Sequence, residues 1–323
     1  MKIVFYIALL LSTPLTLGAT TELNLAHMFS DDSLPGEAAE YLAERVEQLS
    51  AGTLRIQIFA DGYLGDERKN LLAISKGELD LAITGDLVVS YYLPDYAVVN
   101  MPFIYRSVEH ALQVYNGPLG NQMRKRLQQE HQMIPLSWHY VGTRLLTANR
   151  PLRNLSDLQG LKLRLPPDRV WNTSWRALGT LPSPIPFIHL FGALERKRVE
   201  AQENPANFIR HKGLHKVQRY LIATRHMPQR QFIMASTTLF SEKLTPRQRE
   251  ILQKAARESS QWLTEVAQQQ EEEDIHWLIN EGGMIWIDFD ATGVSAALQK
   301  VPTHLSPQGE TILRQIEGTT DEQ

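Results

Sequence analysis

An alternation of strand and helix patterns at the start of the chain most constrains its fold. Strand patterns cover residues 23–29, 53–59 and 78–84, and in the second of them polar and apolar residues alternate. Amphipathic helix patterns lie between them, over residues 35–52 and 66–77, each ending at a glycine. This βαβαβ order predicts a parallel sheet with helices on its faces.

The middle of the chain predicts a second α/β unit. Residues 134–148 form a long extended stretch that could cross between two domains. A strand at residues 161–165 follows, then a helix from about Asp168 to Leu178. Further strands are predicted at 216–224 and 230–236. A chain of 323 residues is long enough for two such domains.

One helical pattern is unusually long. It runs from Thr245 to about Asn280 with no glycine and only Pro246, and threonine followed by proline suits a helix start. At 1.5 Å per residue the helix would be on the order of 50 Å long, which exceeds the diameter of one domain. We therefore expect it to bridge two domains. A coiled coil is the alternative, but the apolar positions do not keep a strict heptad.

The first residues predict export. Residues 1–19 contain one lysine, an apolar run from Ile3 to Leu11 that is too short to span a bilayer, and small residues at Gly18 and Ala19. This is typical of a signal peptide, and a buried first helix is the alternative. The sequence has no cysteine, so it has neither disulfides nor a lipid-anchoring cysteine at the cleavage region. We expect a soluble periplasmic protein, with an extracellular enzyme as the alternative.

The strand at residues 161–165 raises a question about Arg164. The alternation places its leucines on one side and Arg164 on the other, and Pro166 and Pro167 end the strand. A guanidinium can bind a carboxylate through two parallel hydrogen bonds. From the strand alone, a solvent-exposed arginine is the more common alternative.

Several motifs occur along the chain in an order that identifies a family by resemblance. They are FADGYLGDERKNLLAISKGELDLAI, YVGTRLLTANRPLRNLSDLQGLKLRLPP, ALGTLPSPIPF, RVEAQENP and KVQRYLIATRH. In this order they resemble the solute-binding proteins of tripartite ATP-independent periplasmic (TRAP) transporters, the DctP family, over nearly the whole mature chain. The resemblance implies an α/β fold of the periplasmic binding protein type, with two α/β domains flanking a ligand cleft and one long helix spanning both.

The resemblance also implies the function and its partners. We expect an extracytoplasmic binding protein that captures an organic acid by cleft closure and delivers it to a TRAP membrane permease. It is expected to be a monomer without a cofactor, and a net charge of -3 gives no indication of nucleic-acid binding. The expected parts are the signal peptide at 1–19, domain I (22–141 and 230–265), domain II (142–229 and 266–323), and a bridging helix at about 245–281.

Three polar residues are the main site candidates. The resemblance implies that Arg164, in the Gly-Leu-Lys-x-Arg strand, binds the ligand carboxylate. Arg144, in VGTR, would be a second cation, with a structural ion pair near the hinge as the alternative. Asn204, in ENP, would orient the ligand through its amide, and a helix N-cap is the alternative.

Four further residues complete the predicted site. Phe187 and Phe208 are expected to pack on the ligand, with core packing as the alternative. Glu67 would bind a hydroxyl or amine, although it could simply be a first-turn carboxylate favoured by the helix dipole. His27 ends the first strand near a family contact that a gap could move to Met28.

Other features leave the ligand class open. Glu200 and Ala201 replace the usual Asp-Gly before Glu-Asn-Pro, and His189 replaces a usual glutamate. No metal site is expected at His211 and His215, because no third ligand is evident nearby. An exported enzyme lacks support, since Gly-x-Ser-x-Gly, His-Glu-x-x-His and cysteine are absent from the sequence. A binding protein that serves a sensor is the third hypothesis.

Overall fold

Two β-sheets that share one long strand organise the chain, of which the computed structural model describes residues 20–320. Strand β4 (Met133–Ala148) pairs with strand β9 (Pro228–Ser236) in the first sheet and, through its last five residues, with strand β7 (Ala201–Pro205) in the second. The extended stretch predicted at residues 134–148 is therefore a single strand common to both sheets. The signal-peptide prediction for residues 1–19 lies outside the described residues.

The first sheet contains the predicted βαβαβ unit. Strands β1 (Thr21–Ala26), β2 (Leu54–Phe59) and β3 (Leu81–Thr84) are parallel, as predicted. The sheet as a whole is mixed, because β9 returns from the second sheet and runs antiparallel to both β3 and β4. The helices associated with this sheet are α1 (Leu34–Ser50), α2 (Glu67–Lys76), α3 (Leu87–Tyr92), α4 (Val108–Asn116) and α5 (Pro118–His131).

The second sheet continues from β7 through β5 (Lys162–Leu165) to β6 (Leu181–Pro184), all parallel to one another. On the other side of β4 lie β8 (Tyr220–Ala223) and β10 (Ile285–Asp288). The strand predicted at 216–224 is shorter than expected: Lys216 ends a 3₁₀ turn, residues 217–219 are a turn and irregular backbone, and the strand covers Tyr220–Ala223. The helices here are α6 (Arg169–Ala177), α7 (Leu190–Glu195), α8 (Ala206–His211), α10 (Val294–Leu298), α11 (Val301–Leu305) and α12 (Gly309–Glu317).

Short helical turns join these elements. The 3₁₀ helices are Pro94–Asn100, Leu155–Leu158, Phe187–His189 and Leu214–Lys216, and a π-helical turn covers Leu239–Lys243. Within residues 20–320, no helix combines the length and the apolar character that crossing a bilayer requires.

The predicted long helix is confirmed as α9 (Pro246–Asn280), with 35 residues. Thr245 and Gln248 form a capping box: the backbone N–H of Gln248 donates to the Thr245 hydroxyl oxygen, and the backbone N–H of Thr245 donates to the side-chain oxygen of Gln248. The helix packs against α1 and β4 and also against α8, so that it contacts both domains. The domain boundaries predicted from the sequence stay a prediction.

Parallel strands of both sheets end at the same place. The segments that follow β1 and β3 in the first sheet, and β5, β6 and β7 in the second, all contribute residues to one cavity. Side chains at the carboxyl ends of parallel strands commonly form ligand sites, because the connecting loops are free to vary there. The topology therefore directs attention to this cavity.

Candidate ligand-binding site

The cavity between the two sheets holds about 610 Å³ of space not filled by atoms, counting its open side. Both domains contribute to its wall, and much of the wall is aromatic, aliphatic or proline. The lining residues are Met28, Phe29, Asp66, Glu67, Arg68, Gly85, Asp86, Leu87, Tyr91, Arg144, Arg164, Pro166, Pro167, Trp171, Pro186, Phe187, Asn204, Phe208, Gln229 and Gln231.

Arg164 is a buried cation in this wall. Its side chain is 1% exposed, so the alternative of a solvent-exposed strand arginine is wrong. Nε donates to the carbonyl oxygen of Ile185 at 2.7 Å, and Arg164 forms no ion pair with any carboxylate among residues 20–320. Burial lowers the pKa of Arg164 to about 9, and Arg144 adds to this effect while Glu203 opposes it. The guanidinium remains charged at neutral pH, with its terminal nitrogens available to an anion.

Arg144 also lines the cavity, but it is fully engaged with protein groups. Its Nε and Nη2 donate to the carboxylate of Glu203, and Nη1 donates to the side-chain oxygen of Gln229. The guanidinium also lies 4.7 Å from the centre of the Trp171 ring. Arg144 therefore forms the structural ion pair that was the alternative to a ligand contact. Although it lines the cavity, its guanidinium nitrogens are already bonded to protein groups and are not free to bind a ligand.

Glu203 is the anion at the centre of this cluster. His226 Nε2 lies 2.9 Å from the Glu203 carboxylate, and both side chains are buried. Burial alone raises the pKa of Glu203, but the ion pair with Arg144 and the hydrogen bond to His226 outweigh burial and bring the pKa to about 2. The cluster is a satisfied network that ties β4 to β7.

Asn204 neighbours this cluster at the end of β7. Its side-chain oxygen accepts from Arg144 Nη2 at 3.2 Å, and its amide nitrogen donates to Gln202 at 2.6 Å. Helix α8 begins two residues later, and Pro205 at its N-cap provides no side-chain hydrogen bond. The helix N-cap alternative for Asn204 is therefore wrong. Its amide retains one N–H that these bonds do not use.

Aromatic rings close the cavity across the two domains. Phe29 follows β1 and stacks on Phe208 of α8, with ring centres 5.1 Å apart. Phe187 lies 5.8 Å from Phe29 and 5.9 Å from Phe208. Tyr91 adds a polar bridge, because its hydroxyl donates to the Pro167 carbonyl at 2.8 Å. These contacts hold the two domains together at the cavity.

Acidic side chains occupy the first-domain wall. Glu67 begins α2, as the first-turn alternative expects, and it also lines the cavity at 5% exposure. Its Oε1 is buried without a hydrogen-bond partner. Burial, together with the nearby Asp86 carboxylate, raises the pKa of Glu67 to about 8. Asp86 pairs with the buried Arg230 at 2.9 Å, whereas Glu67 forms no ion pair with a cation of residues 20–320 and carries a proton at neutral pH.

Six of the seven predicted site residues therefore line one cavity, and His27 does not. His27 is buried behind Phe29, with neither ring nitrogen hydrogen-bonded, and burial lowers its pKa. Met28 and Phe29 take its place in the wall. Sequence reasoning missed Phe29, although its position after a strand end was a usable signal.

The two glutamines of β9 were also missed. Gln229 and Gln231 both line the cavity, on either side of Arg230 in the chain. Because side chains alternate along a strand, two polar residues separated by one position share a face. The Gln-x-Gln spacing in this strand was therefore a signal for a polar surface at this place.

Comparison with known proteins decides the family. A family model described as bacterial extracellular solute-binding protein, family 7 (DctP) matches residues 25–304. The chain belongs to this DctP family. Its members are binding proteins of transport systems outside the cytoplasm, which agrees with the predicted class and supports a role other than catalysis.

Relatives of the DctP family cover most of this chain. The sialic acid-binding periplasmic protein SiaP of Vibrio cholerae is 29% identical over 275 residues, which is 85% of each chain. The structure of a TRAP periplasmic solute-binding protein from a Polaromonas species, bound to D-erythronate, is 26% identical with a TM-score of 0.88 and covers 94% of this chain and 100% of that chain. One from Roseobacter denitrificans, with bound L-galactonate, is 25% identical with a TM-score of 0.87 and covers 93% and 100%. The predicted fold is confirmed.

Proposed function

We propose that this DctP-family protein captures an organic acid in the cavity between its domains, with Arg164 as the anchor of the ligand carboxylate. One observation carries the proposal: Arg164 is a buried guanidinium in the cavity wall that has a single hydrogen bond and no ion pair among the described residues. Holding a cation out of water without an anion is costly. A carboxylate that binds there removes this cost and gains two parallel hydrogen bonds.

The ligands of the relatives support this chemistry. Sialic acid, D-erythronate and L-galactonate are each named with one of these proteins, and all three are hydroxylated monocarboxylates. The free N–H of Asn204 and the unpartnered oxygen of Glu67 are suitable groups for polar atoms on the body of such an acid. Phe187 and Phe208 would pack on its carbon chain.

In the proposed mechanism the two domains close around the acid and open to release it. The rings of Phe29, Phe187 and Phe208 are the contacts that close the cavity, and a closed cavity excludes water, which strengthens the carboxylate–guanidinium pair. The partner would be a TRAP membrane permease, to which the monomeric closed form delivers the acid. Export to the periplasm would proceed through the signal peptide at residues 1–19.

Calorimetry on Arg164 variants tests the proposal. A thermal-shift screen against organic acids, including D-erythronate, L-galactonate and sialic acid, first selects an acid that binds. An acid present at about a hundred times its Kd adds roughly 2.7 kcal/mol to the free energy of unfolding. Arg164→Ala should then weaken that acid by roughly 2–5 kcal/mol, or about 30-fold to several thousand-fold. Arg164→Lys should weaken it less, because the charge remains and the planar fork is lost.

The control is Arg153→Ala, which removes an arginine from the exposed surface outside the cavity. It should leave the affinity unchanged. Unchanged binding of the same acid by Arg164→Ala would refute the anchoring role. A thermal shift by neutral ligands alone, with no carboxylate effective, would refute the proposed ligand class.

A further inference from the structure

A series of hydrogen bonds leads from the cavity to the long helix, buried at His139 and partly buried at Ser137. Gln231 lines the cavity and lies beside His139, its register partner on β4, with the Gln231 side-chain oxygen 3.3 Å from His139 Nε2. On the other side of the ring, His139 Nδ1 lies 3.3 Å from the hydroxyl of Ser260 on α9. The Ser260 hydroxyl is 2.8 Å from the Ser137 hydroxyl, which is 2.8 Å from the Ala256 carbonyl oxygen.

The protons in this series of hydrogen bonds can be assigned by starting from the Ala256 carbonyl, at the end farthest from the cavity. The Ala256 carbonyl can only accept, so Ser137 donates its single proton there. Ser260 must therefore donate its own proton to Ser137. The Ser260 oxygen is then left as the acceptor that faces His139, and the ring has to donate from Nδ1.

This fixes the tautomer of His139. Burial lowers the pKa of His139 to about 4, so the ring is neutral at physiological pH and carries one proton. With that proton on Nδ1, the Nε2 atom is an acceptor, and it requires a donor from Gln231. Only the amide nitrogen of Gln231 can donate.

The opposite orientation of the Gln231 carboxamide fails at the two serines. If the Gln231 oxygen faces His139, the ring proton lies on Nε2, and Ser260 must donate to Nδ1. One of the two 2.8 Å oxygen–oxygen contacts along the serines then has no proton. The nitrogen and oxygen of a carboxamide have nearly the same shape, so the surrounding network decides which end faces His139.

We propose that Gln231 is a specificity-determining residue whose side-chain oxygen is held toward the ligand as a hydrogen-bond acceptor, with His139, Ser260 and Ser137 as positioning residues. The inference rests on the proposed function of the cavity and narrows its ligand. A fixed acceptor selects an acid that carries an O–H or N–H donor on its body in addition to the carboxylate. An acid without such a donor leaves the buried oxygen of Gln231 unpaired.

The first test needs no ligand. Nitrogen NMR of the protein labelled at histidine distinguishes a protonated Nδ1 from a protonated Nε2, and loss of the signal in His139→Asn assigns the ring. At neutral pH we expect His139 to be protonated at Nδ1 only. Protonation at Nε2 would overturn the inference about Gln231, and it would leave the proposed role of Arg164 standing.

The second test uses hydroxy acids and their deoxy analogues. The probes are D-erythronate and L-galactonate, each compared with the acids that lack one of its hydroxyl groups. For one hydroxyl position, the natural protein should bind the hydroxy acid about 5- to 150-fold more tightly than the deoxy acid, which corresponds to leaving a buried acceptor unpaired. In Gln231→Met the ratio of the two affinities should fall to near unity for that hydroxyl, and it should stay unchanged for the other hydroxyl groups of the acid.

The matched control is Gln113→Met, the same change at a glutamine outside the cavity whose side-chain oxygen also has no partner. It should keep the full discrimination. Unchanged discrimination in Gln231→Met, or equal binding of every deoxy acid by the natural protein, would overturn the inference and leave the carboxylate site intact. Failure of every carboxylate in the thermal-shift screen to bind the natural protein would overturn both proposals.

Discussion

Two arginines in the wall of one cavity are almost equally buried but differ in their hydrogen-bond and ion-pair partners. Arg144 is 2% exposed and Arg164 is 1% exposed, and both project from strands of the second sheet. Arg144 binds Glu203, Gln229 and Asn204, whereas Arg164 donates one hydrogen bond to a backbone carbonyl. A buried charge that the protein already neutralises holds the scaffold together. One that it leaves without an anion is available to a ligand.

Two glutamates of the same cavity region repeat this difference. Glu203 lies between Arg144 and His226, and its pKa is about 2 although burial by itself raises it. Glu67 is buried near Asp86 and pairs with no cation in the part of the chain that the structure describes, and its pKa is about 8. The Glu203 carboxylate is thus ionised at neutral pH, whereas Glu67 is neutral there. The environment, more than the residue type, decides the charge.

The largest expected effect separates the two arginines by stability. Arg144→Met should lower the free energy of unfolding by about 3–5 kcal/mol, because it leaves Glu203 as a buried charge without its cation. Arg164→Met should leave the free energy of unfolding of the ligand-free protein unchanged or higher, because it removes a buried cation that has no anion. Urea denaturation of the ligand-free protein measures both.

Arg153→Met, at an exposed position, controls for the change of side chain. It should differ from the natural protein by less than about 0.5 kcal/mol. Equal destabilisation by Arg144→Met and Arg164→Met would remove the distinction between a paired and an available arginine.

A pH series on Glu67→Gln gives the next largest effect. Between pH 4.5 and about 8 the folded protein keeps a proton on Glu67 that the unfolded chain has released, so this group makes the natural protein less stable as pH rises. The contribution of the Glu67 proton to the free energy of unfolding is complete below pH 4.5. It declines by up to about 1.4 kcal/mol per pH unit until about pH 8. Glutamine does not titrate, so Glu67→Gln should lack this decline.

The measurement is the difference in free energy of unfolding between the natural protein and Glu67→Gln, by urea denaturation from pH 5 to pH 8. Glu203 acts with the opposite sign, because its lowered pKa makes stability fall only as pH drops from 4.5 towards 2. A pH-independent difference between the two proteins would show that Glu67 titrates normally and is not the neutral member of the comparison.

The smallest effect tests the aromatic contact that closes the cavity. Phe29→Leu and Phe208→Leu, alone and together, form a double-mutant cycle on the affinity for the acid found by thermal shift. The stacked pair should give a coupling of about 0.5–1.5 kcal/mol beyond the area that each ring buries. Additive losses in calorimetry would mean that the two rings do not act as one closing contact.

Local patterns in the sequence predicted much of the fold. The βαβαβ unit and the capped helix α9 depend on residue spacing and end signals, which act over a few residues, and their bounds were close to those observed. The mixed first sheet was not predictable in this way, because β9 pairs with strands that lie far away in the chain. Six of the seven site residues predicted from the sequence line the cavity, and the resemblance to the DctP family indicated them more than local patterns did.

The roles within the cavity required the tertiary structure. No local pattern distinguishes the Arg of VGTR from the Arg of GLKLR. Strand β7 pairs with the strands of both, but within residues 20–320 its Glu203 forms an ion pair with Arg144 and not with Arg164. In the same way, only the packing shows that His27 lies behind Phe29 and that Gln231 is joined to α9 through His139.

The sequence by itself therefore determined the family, the alternation of strands and helices, the long helix and the basic residues that an acid would meet. The tertiary structure decided which of those residues pair with an anion of the protein and which, within residues 20–320, do not. The physical reason is range: helix and strand signals act between near neighbours in the chain, whereas the charge and availability of a buried group depend on every residue that folding brings within a few ångströms.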